Sequence, residues 1–114
     1  MTADTFVGGS ETTTNVLSAG IMMLAQNPDC FALLKSSRAI PAASHLGFGS
    51  GVHHCLGAPL ARRELWWGFT AFLDRIEEFR LAPGKNQLRH VPNFYLRCLK
   101  ELHIEFTPRK RPAV

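Results

Sequence analysis

The residues best equipped for chemistry sit in one stretch, Leu46 to Arg62, reading LGFGSGVHHCLGAPLAR. Its reactive group is Cys55, a nucleophile and metal ligand when ionised. Gly47, Gly49, Gly51 and Gly57 surround it, and glycine is used where a backbone turns sharply or lets another group approach closely. The loop is therefore shaped around a bulky partner. From Ala58 onward the pattern predicts a helix with Pro59 in its first turn, where a missing N–H costs little. Cys55 thus stands just ahead of a helix N-terminus, whose unpaired amides and dipole favour negative charge, the setting in which a cysteine serves as a thiolate. His53, two residues earlier, offers an N–H or, when protonated, a positive charge to an anionic group. The plainer alternative is a glycine-rich turn around a buried structural cysteine, since free cysteine is among the most buried residue types.

A second group of chemically capable residues lies near the start. Phe6 to Gln26 carries Val16, Leu17, Ile21 and Leu24 at helical spacing, with Asn27-Pro28 as a stop. Gly8 and Gly9 each cost about 1 kcal/mol inside a helix, and Thr12, Thr13 and Thr14 are poor formers because of their restricted χ1. So concentrated a weak spot implies a purpose. Read without one, it is a helix start with Ser10 as cap and Thr13 at its third position.

The run Phe48, Gly49, Gly51, His53, Cys55, Leu56, Gly57, Leu60, Ala61 and Arg62 resembles the haem-binding signature of the cytochrome P-450 superfamily, bacterial soluble type, F-G-x-G-x-H-x-C-L-G-x-x-L-A-R. The resemblance implies that Cys55 is the proximal thiolate ligand of haem iron. It further implies that Phe48 packs beside the sulfur, that amides of the loop bearing Gly49, Gly51 and Gly57 hydrogen-bond to it, and that His53 pairs with a haem propionate. Val7, Gly8, Gly9, Glu11 and Thr12 likewise resemble V-G-G-x-(E/D)-T of the family's distal helix. There Gly8 and Gly9 belong to a local widening that forms an oxygen pocket, Thr12 hydrogen-bonds the bound dioxygen, and Glu11 helps relay protons.

The implied fold is mainly α with a small C-terminal antiparallel β element, a C-terminal fragment of the family fold. Its parts are a distal helix over 6–26, a short helix over 28–35, a junction over 36–45, the haem loop over 46–57, a proximal helix over 58–79 and terminal strands over 80–107. Between the short helix and the haem loop the family carries a helix with a Glu-x-x-Arg pair and an irregular meander. Here only Ala42 to His45 stand in their place. The chain's own Glu77-x-x-Arg80 comes after the cysteine and reads as a solvated helix face. The amino-terminal majority of the family fold is also expected to be absent.

The elements that must position these residues follow from periodicity. Leu65, Phe69, Phe72, Ile76 and Phe79, spaced four, three, four and three, form one apolar helix stripe; Trp66 and Trp67 widen the apolar surface and read first as core, with a haem-edge contact or exposure by truncation as the alternatives. Asn27 caps the short helix, with Pro28 and Asp29 in its first turn; within it Cys30 reads as a small buried apolar residue. After the Pro83-Gly84 turn, Phe94 to Leu99 and Leu102 to Phe106 read as two strands of a hairpin. By resemblance to the family's terminal strands, Tyr95 and Leu96 reach toward substrate.

At 114 residues the chain allows one domain. With 46% hydrophobic and 19% charged residues it is apolar enough to present faces that expect more protein or a large ligand. Three irregularly spaced cysteines, and the lack of a spanning apolar run or a signal-peptide pattern, point to a reducing cytoplasmic setting and to no membrane. The net charge of +4 comes partly from a solvated tail at Arg109, Lys110 and Arg111, and no aromatic–basic interleaving suggests nucleic acid. The expected function is a haem-thiolate monooxygenase, an incomplete copy, acting on a small organic substrate with electrons from a ferredoxin-like or flavin partner that docks near Arg62 and Arg63. The alternatives are a non-catalytic remnant that binds haem weakly or serves only as an interaction fragment, and a zinc site from His45, His53, His54 and Cys55.

Overall fold

The computed structural model describes residues 2–37 and 45–110. Most of the junction foreseen over 36–45, including Ala42 and Ala43, lies outside them, as does Arg111. In chain order the elements are α1 (Thr2–Gln26), α2 (Pro28–Ser37), a single 3-10 turn (Gly51–His53), α3 (Ala58–Arg75), β1 (Ile76–Leu81) and β2 (Ile104–Pro108). The fold is mainly helical with one two-stranded antiparallel sheet, in agreement with the fold class expected from the sequence.

α1 is continuous despite its glycines and threonines, and the widening expected at Gly8–Thr12 is not present. The hydroxyls of Thr12, Thr13, Thr14 and Ser18 each donate to the carbonyl four residues earlier, which ties these poor helix formers to the helix they would otherwise weaken. Ser10 lies well inside α1 and caps nothing. Asn27 stands at the cap position of α2, its carbonyl accepting the Cys30 and Phe31 N–H groups at 3.0 and 3.2 Å, while its side-chain amide donates back to the Met23 carbonyl at 2.7 Å and closes α1. Cys30, expected to be buried, is exposed.

The proximal helix is shorter than its stripe suggested. α3 ends at Arg75, and Ile76 turns extended at φ −112° and ψ 122° while its N–H makes a last helical bond to the Phe72 carbonyl. Ile76 and Phe79 therefore belong to β1. Ile76 pairs with Pro108 and Glu78 with Thr107, so Glu77 is the extra residue of a bulge. The bulge lets Ile76 and Phe79, three apart, both turn inward in a strand whose period is two. The hairpin expected within 94–106 is replaced by pairing of β1 with β2; the 94–99 segment contributes only the isolated His90–Leu99 bridge.

The core is thin. Leu24 of α1, Phe31 of α2 and Leu73 of α3 are buried together, flanked by Leu34, Phe69, Phe72 and Phe79. Trp66 and Trp67, read as core residues, are more than half exposed. α1 and α3 approach closely because each supplies a glycine under the other's side chain: Leu17 lies over Gly68 and Phe69 over Gly20, and a Cβ at Gly20 would overlap the Phe69 ring. Gly20→Val is expected to lower stability by about 1–3 kcal/mol through overpacking, measured as a fall in the urea midpoint. Gly8→Ala, where an added Cβ meets nothing within 4 Å, is expected to raise it. Equal responses would show that the crossing is not set by these glycines.

Glu77 joins α2, β1 and the chain end. Lys35 Nζ lies 3.1 Å from Glu77 Oε1 and Arg109 Nε 3.3 Å from Glu77 Oε2, while Arg80 pairs with Glu105 at 2.7 Å. Glu77 and Arg80 thus sit on a strand with separate partners, not on a helix face, and Arg109 is engaged rather than part of a free tail. The Lys35 hydrogen bond, then the Lys35 charge, hold the Glu77 carboxyl below the usual carboxylate range; Arg109 adds to this and burial opposes it. A lowered folded-state value means stability that is present above the ordinary glutamate range and lost as pH falls through the folded value. Glu77→Gln is expected to lower the urea midpoint at neutral pH, with the two chains converging in acid; a gap that persisted in acid would exclude charge as its source.

Candidate functional site

The Cys55 loop is built by its backbone. Gly49 N–H donates to the Leu46 carbonyl at 2.8 Å, and Cys55 N–H donates to the Phe48 carbonyl at 2.8 Å, closing the loop on itself. Gly49 and Gly51 have φ of +70° and +59°, the left-handed region that strains any side chain-bearing residue. A Cβ at Gly49 would also stand 2.9 Å from the His53 carbonyl oxygen. The turn then passes into α3, where Ala58 N–H donates to the Cys55 carbonyl at 3.2 Å.

Cys55 is exposed, which excludes the buried structural cysteine. Among the described residues no amide donates to its sulfur, unlike the arrangement the resemblance implied; Gly57 comes close, a Cβ there lying 3.8 Å from Sγ. Phe48 is held between two neighbours. The Arg62 guanidinium lies 4.5 Å from its ring centroid and the His45 ring 5.8 Å away. His45 is fixed in turn, its Nδ1 accepting the Gly47 N–H at 3.1 Å.

Between α1, this loop and α3 lies an open cleft of about 1140 Å³, above the roughly 300–1,000 Å³ of ordinary ligand pockets. It brings Gly8, Gly9 and Thr12 of α1 together with Phe48, Cys55 and Gly57, residues far apart in sequence. Gly49, Gly51, His53 and Glu11 do not line it. Tyr95 and Leu96 do not line it either, and Phe94 and Tyr95 are 94% and 88% exposed. His45, read from the sequence only as a zinc candidate, also lines the cleft, as does Glu64, which the sequence reading did not single out. Glu64 was detectable, being four residues after Leu60 and three after Ala61 on one helical face. Among the described residues no cluster of three or more His, Cys, Asp or Glu could hold a metal ion, so the zinc alternative lacks its ligand set.

The cleft, in its size and mainly apolar lining, suits a large apolar cofactor whose metal takes one soft ligand. Its only thiol is Cys55, set in a mostly aliphatic and aromatic wall. Gly8 and Gly9 line the same cleft, and a Cβ at either would meet nothing within 4 Å, so packing against the described residues does not account for these glycines.

The profile of the Cytochrome P450 family matches residues 33–101, and the chain belongs to that family. It is 50% identical over 60 residues to the mycinamicin IV hydroxylase/epoxidase of Micromonospora griseorubida, covering 53% of this chain and 15% of that one. It is 42% identical over 64 residues to the cytochrome P450 monooxygenase PikC of Streptomyces venezuelae, covering 56% of this chain and 15% of that one. The match to each thus spans about 15% of the relative's length. Among solved structures, substrate-free CYP109E1 of Bacillus megaterium superposes with a TM-score of 0.79 at 22% identity, over 91% of this chain and 43% of that one. At that identity the likeness establishes the fold alone. Haem is the cofactor of the family. No helix among the described residues is long and apolar enough to cross a membrane.

Proposed function

We propose that the chain carries the haem-thiolate centre of a monooxygenase, with Cys55 as the iron ligand. The observation that carries this reading is that the exposed Cys55 lines one apolar cleft together with Gly8, Gly9 and Thr12. Haem, when bound, would supply oxygen activation, which thiolate ligation favours.

The chain's own residues would do the rest. The Cys55–Phe48 backbone bond and the left-handed Gly49 and Gly51 hold the sulfur's loop in shape. Phe48, pinned by Arg62, would shield the sulfur's side of the cleft from water. Gly57 lets the chain pass close to Sγ, and Gly8 and Gly9 leave room along the α1 side of the cleft. His53, at the end of the 3-10 turn, would pair with a propionate at the cofactor's edge. Thr12 Oγ1, its proton committed to Gly8 O at 2.6 Å, would accept a hydrogen bond from a group in the cleft, and Glu11 would exchange protons with solvent. The substrate class is a small organic molecule. Electrons would come from a ferredoxin-like or flavin protein whose acidic face meets Arg62 and Arg63, and the setting is cytoplasmic.

A second reading, a non-catalytic haem-binding or interaction fragment, is favoured by the openness of the loop, where Val52 and Leu56 are 97% and 98% exposed. A carbon monoxide difference spectrum of the hemin-supplied, reduced chain separates the two. The monooxygenase reading expects the strongly red-shifted band of thiolate ligation and turnover with a surrogate electron donor. The band without turnover leaves the fragment reading, and no band removes the haem-thiolate centre itself.

A further inference from the structure

We propose that Glu64 is a further proton-exchanging residue, beside Glu11 and unlike it on the cleft itself, acting through the hydroxyl of Thr13; the proposal rests on the monooxygenase reading, in which protons must enter this cleft. Glu64 is the only carboxylate among the described residues that line it. Thr13 Oγ1 lies 3.2 Å from Glu64 Oε2 and 3.2 Å from the Gly9 carbonyl oxygen. A hydroxyl has one proton to give, so the Thr13 proton is divided between a backbone acceptor and a titratable one. Thr12, its neighbour, has its proton committed to Gly8. The two adjacent hydroxyls therefore differ in kind: Thr12 is placed to accept, and Thr13 to pass a proton on. Glu11 is exposed on α1 and does not line the cleft.

The step conserves its atoms. A protonated Glu64 gives its proton to Thr13 Oγ1 as the Thr13 hydroxyl proton leaves for an acceptor in the cleft; the Glu64 carboxylate, exposed to solvent, then takes a proton from water. One proton moves from solvent into the cleft, and only O–H bonds form and break. The other titratable and charged groups that line the same cleft are His45 and Cys55 on the loop and Arg62 on α3. Hydrogen-bond reach is the first requirement for such a group, and the pair meets it across two elements.

Glu64→Gln keeps an acceptor oxygen for Thr13 and removes the exchangeable acid. In the full chain without cofactor, exchange of the Thr13 hydroxyl proton with water, followed by NMR, is expected to slow by ~10-fold or more, toward the scale of a positioned acid–base group, with the amide shifts of α1 and α3 unchanged. Glu64→Asp is expected to restore part of the rate. Equal exchange in the parent and Glu64→Gln chains overturns the proposal, and so does a loss of structure in Glu64→Gln that Glu64→Asp repairs without restoring exchange. In the hemin-loaded chain the expected result is several-fold less product per electron consumed in Glu64→Gln. A parent chain that forms no product overturns the monooxygenase reading, while the exchange measurement still decides the role of Glu64.

Discussion

Cys55→Ser is expected to abolish the red-shifted carbon monoxide band of the hemin-loaded, reduced chain. The substitution replaces the soft sulfur proposed as the iron ligand with a hard hydroxyl oxygen, and it does so at the one thiol that lines the cleft. The backbone bond from Cys55 N–H to the Phe48 carbonyl does not depend on the side chain, so the loop should keep its shape. Hemin affinity should fall by more than the roughly 10–100-fold that loss of an outer-shell partner costs a metal site. Cys30 and Cys98 provide the controls. Cys30 sits on α2 away from the cleft, and Cys98 Sγ accepts a hydrogen bond from Asn15 Nδ2 at 2.9 Å. Cys30→Ser and Cys98→Ser should leave the band in place. A spectrum unchanged by Cys55→Ser would remove Cys55 as the ligand.

The second large effect concerns what holds the cleft in place. Phe31→Ala is expected to cost about 3–5 kcal/mol, the range for truncating a buried aromatic. Phe31 is 8% exposed and meets Phe72 and Phe79 edge-on, with ring centroids 6.5 and 4.9 Å away. Phe72 and Phe79 themselves cross at 4.9 Å. The three rings fasten α2 to α3 and β1, and Lys35 Nζ lies 5.5 Å from the Phe31 ring centroid. Against a total domain stability of about 5–15 kcal/mol, and with so few buried residues, a loss of that size should remove cooperative unfolding. Urea titration followed by tryptophan fluorescence would show it. A change below about 1 kcal/mol, within the range of a surface substitution, would mean that the aromatic cluster is not the chain's fastening.

The Cys55 loop was legible because its requirements are local. Glycines at left-handed φ, a proline in the first turn of a helix and a histidine two residues before a cysteine are fixed by neighbours a few positions away. The start of α3, the boundary at Asn27-Pro28 and the mainly helical class were readable for the same reason. What the sequence could not separate was the end of α3 from the start of β1. Phe72, Ile76 and Phe79 keep helical spacing, yet a strand with a bulge at Glu77 also turns residues three apart to one side. The two cases share a pattern, and only pairing with Ile104–Pro108 distinguishes them.

The site divides along the same line. Sequence by itself determined the family, the thiol and the glycines that shape its loop, since each depends on bonds made within a few residues. Tertiary structure alone decided which residues share the cleft. It put Gly8, Gly9 and Thr12 on the same cleft as Cys55, brought in His45 and Glu64, and left Glu11 and His53 outside the cleft lining. The physical reason is the crossing of α1 and α3, where Leu17 rests on Gly68 and Phe69 on Gly20. That contact joins residues some fifty positions apart, and no local rule of spacing or propensity encodes it.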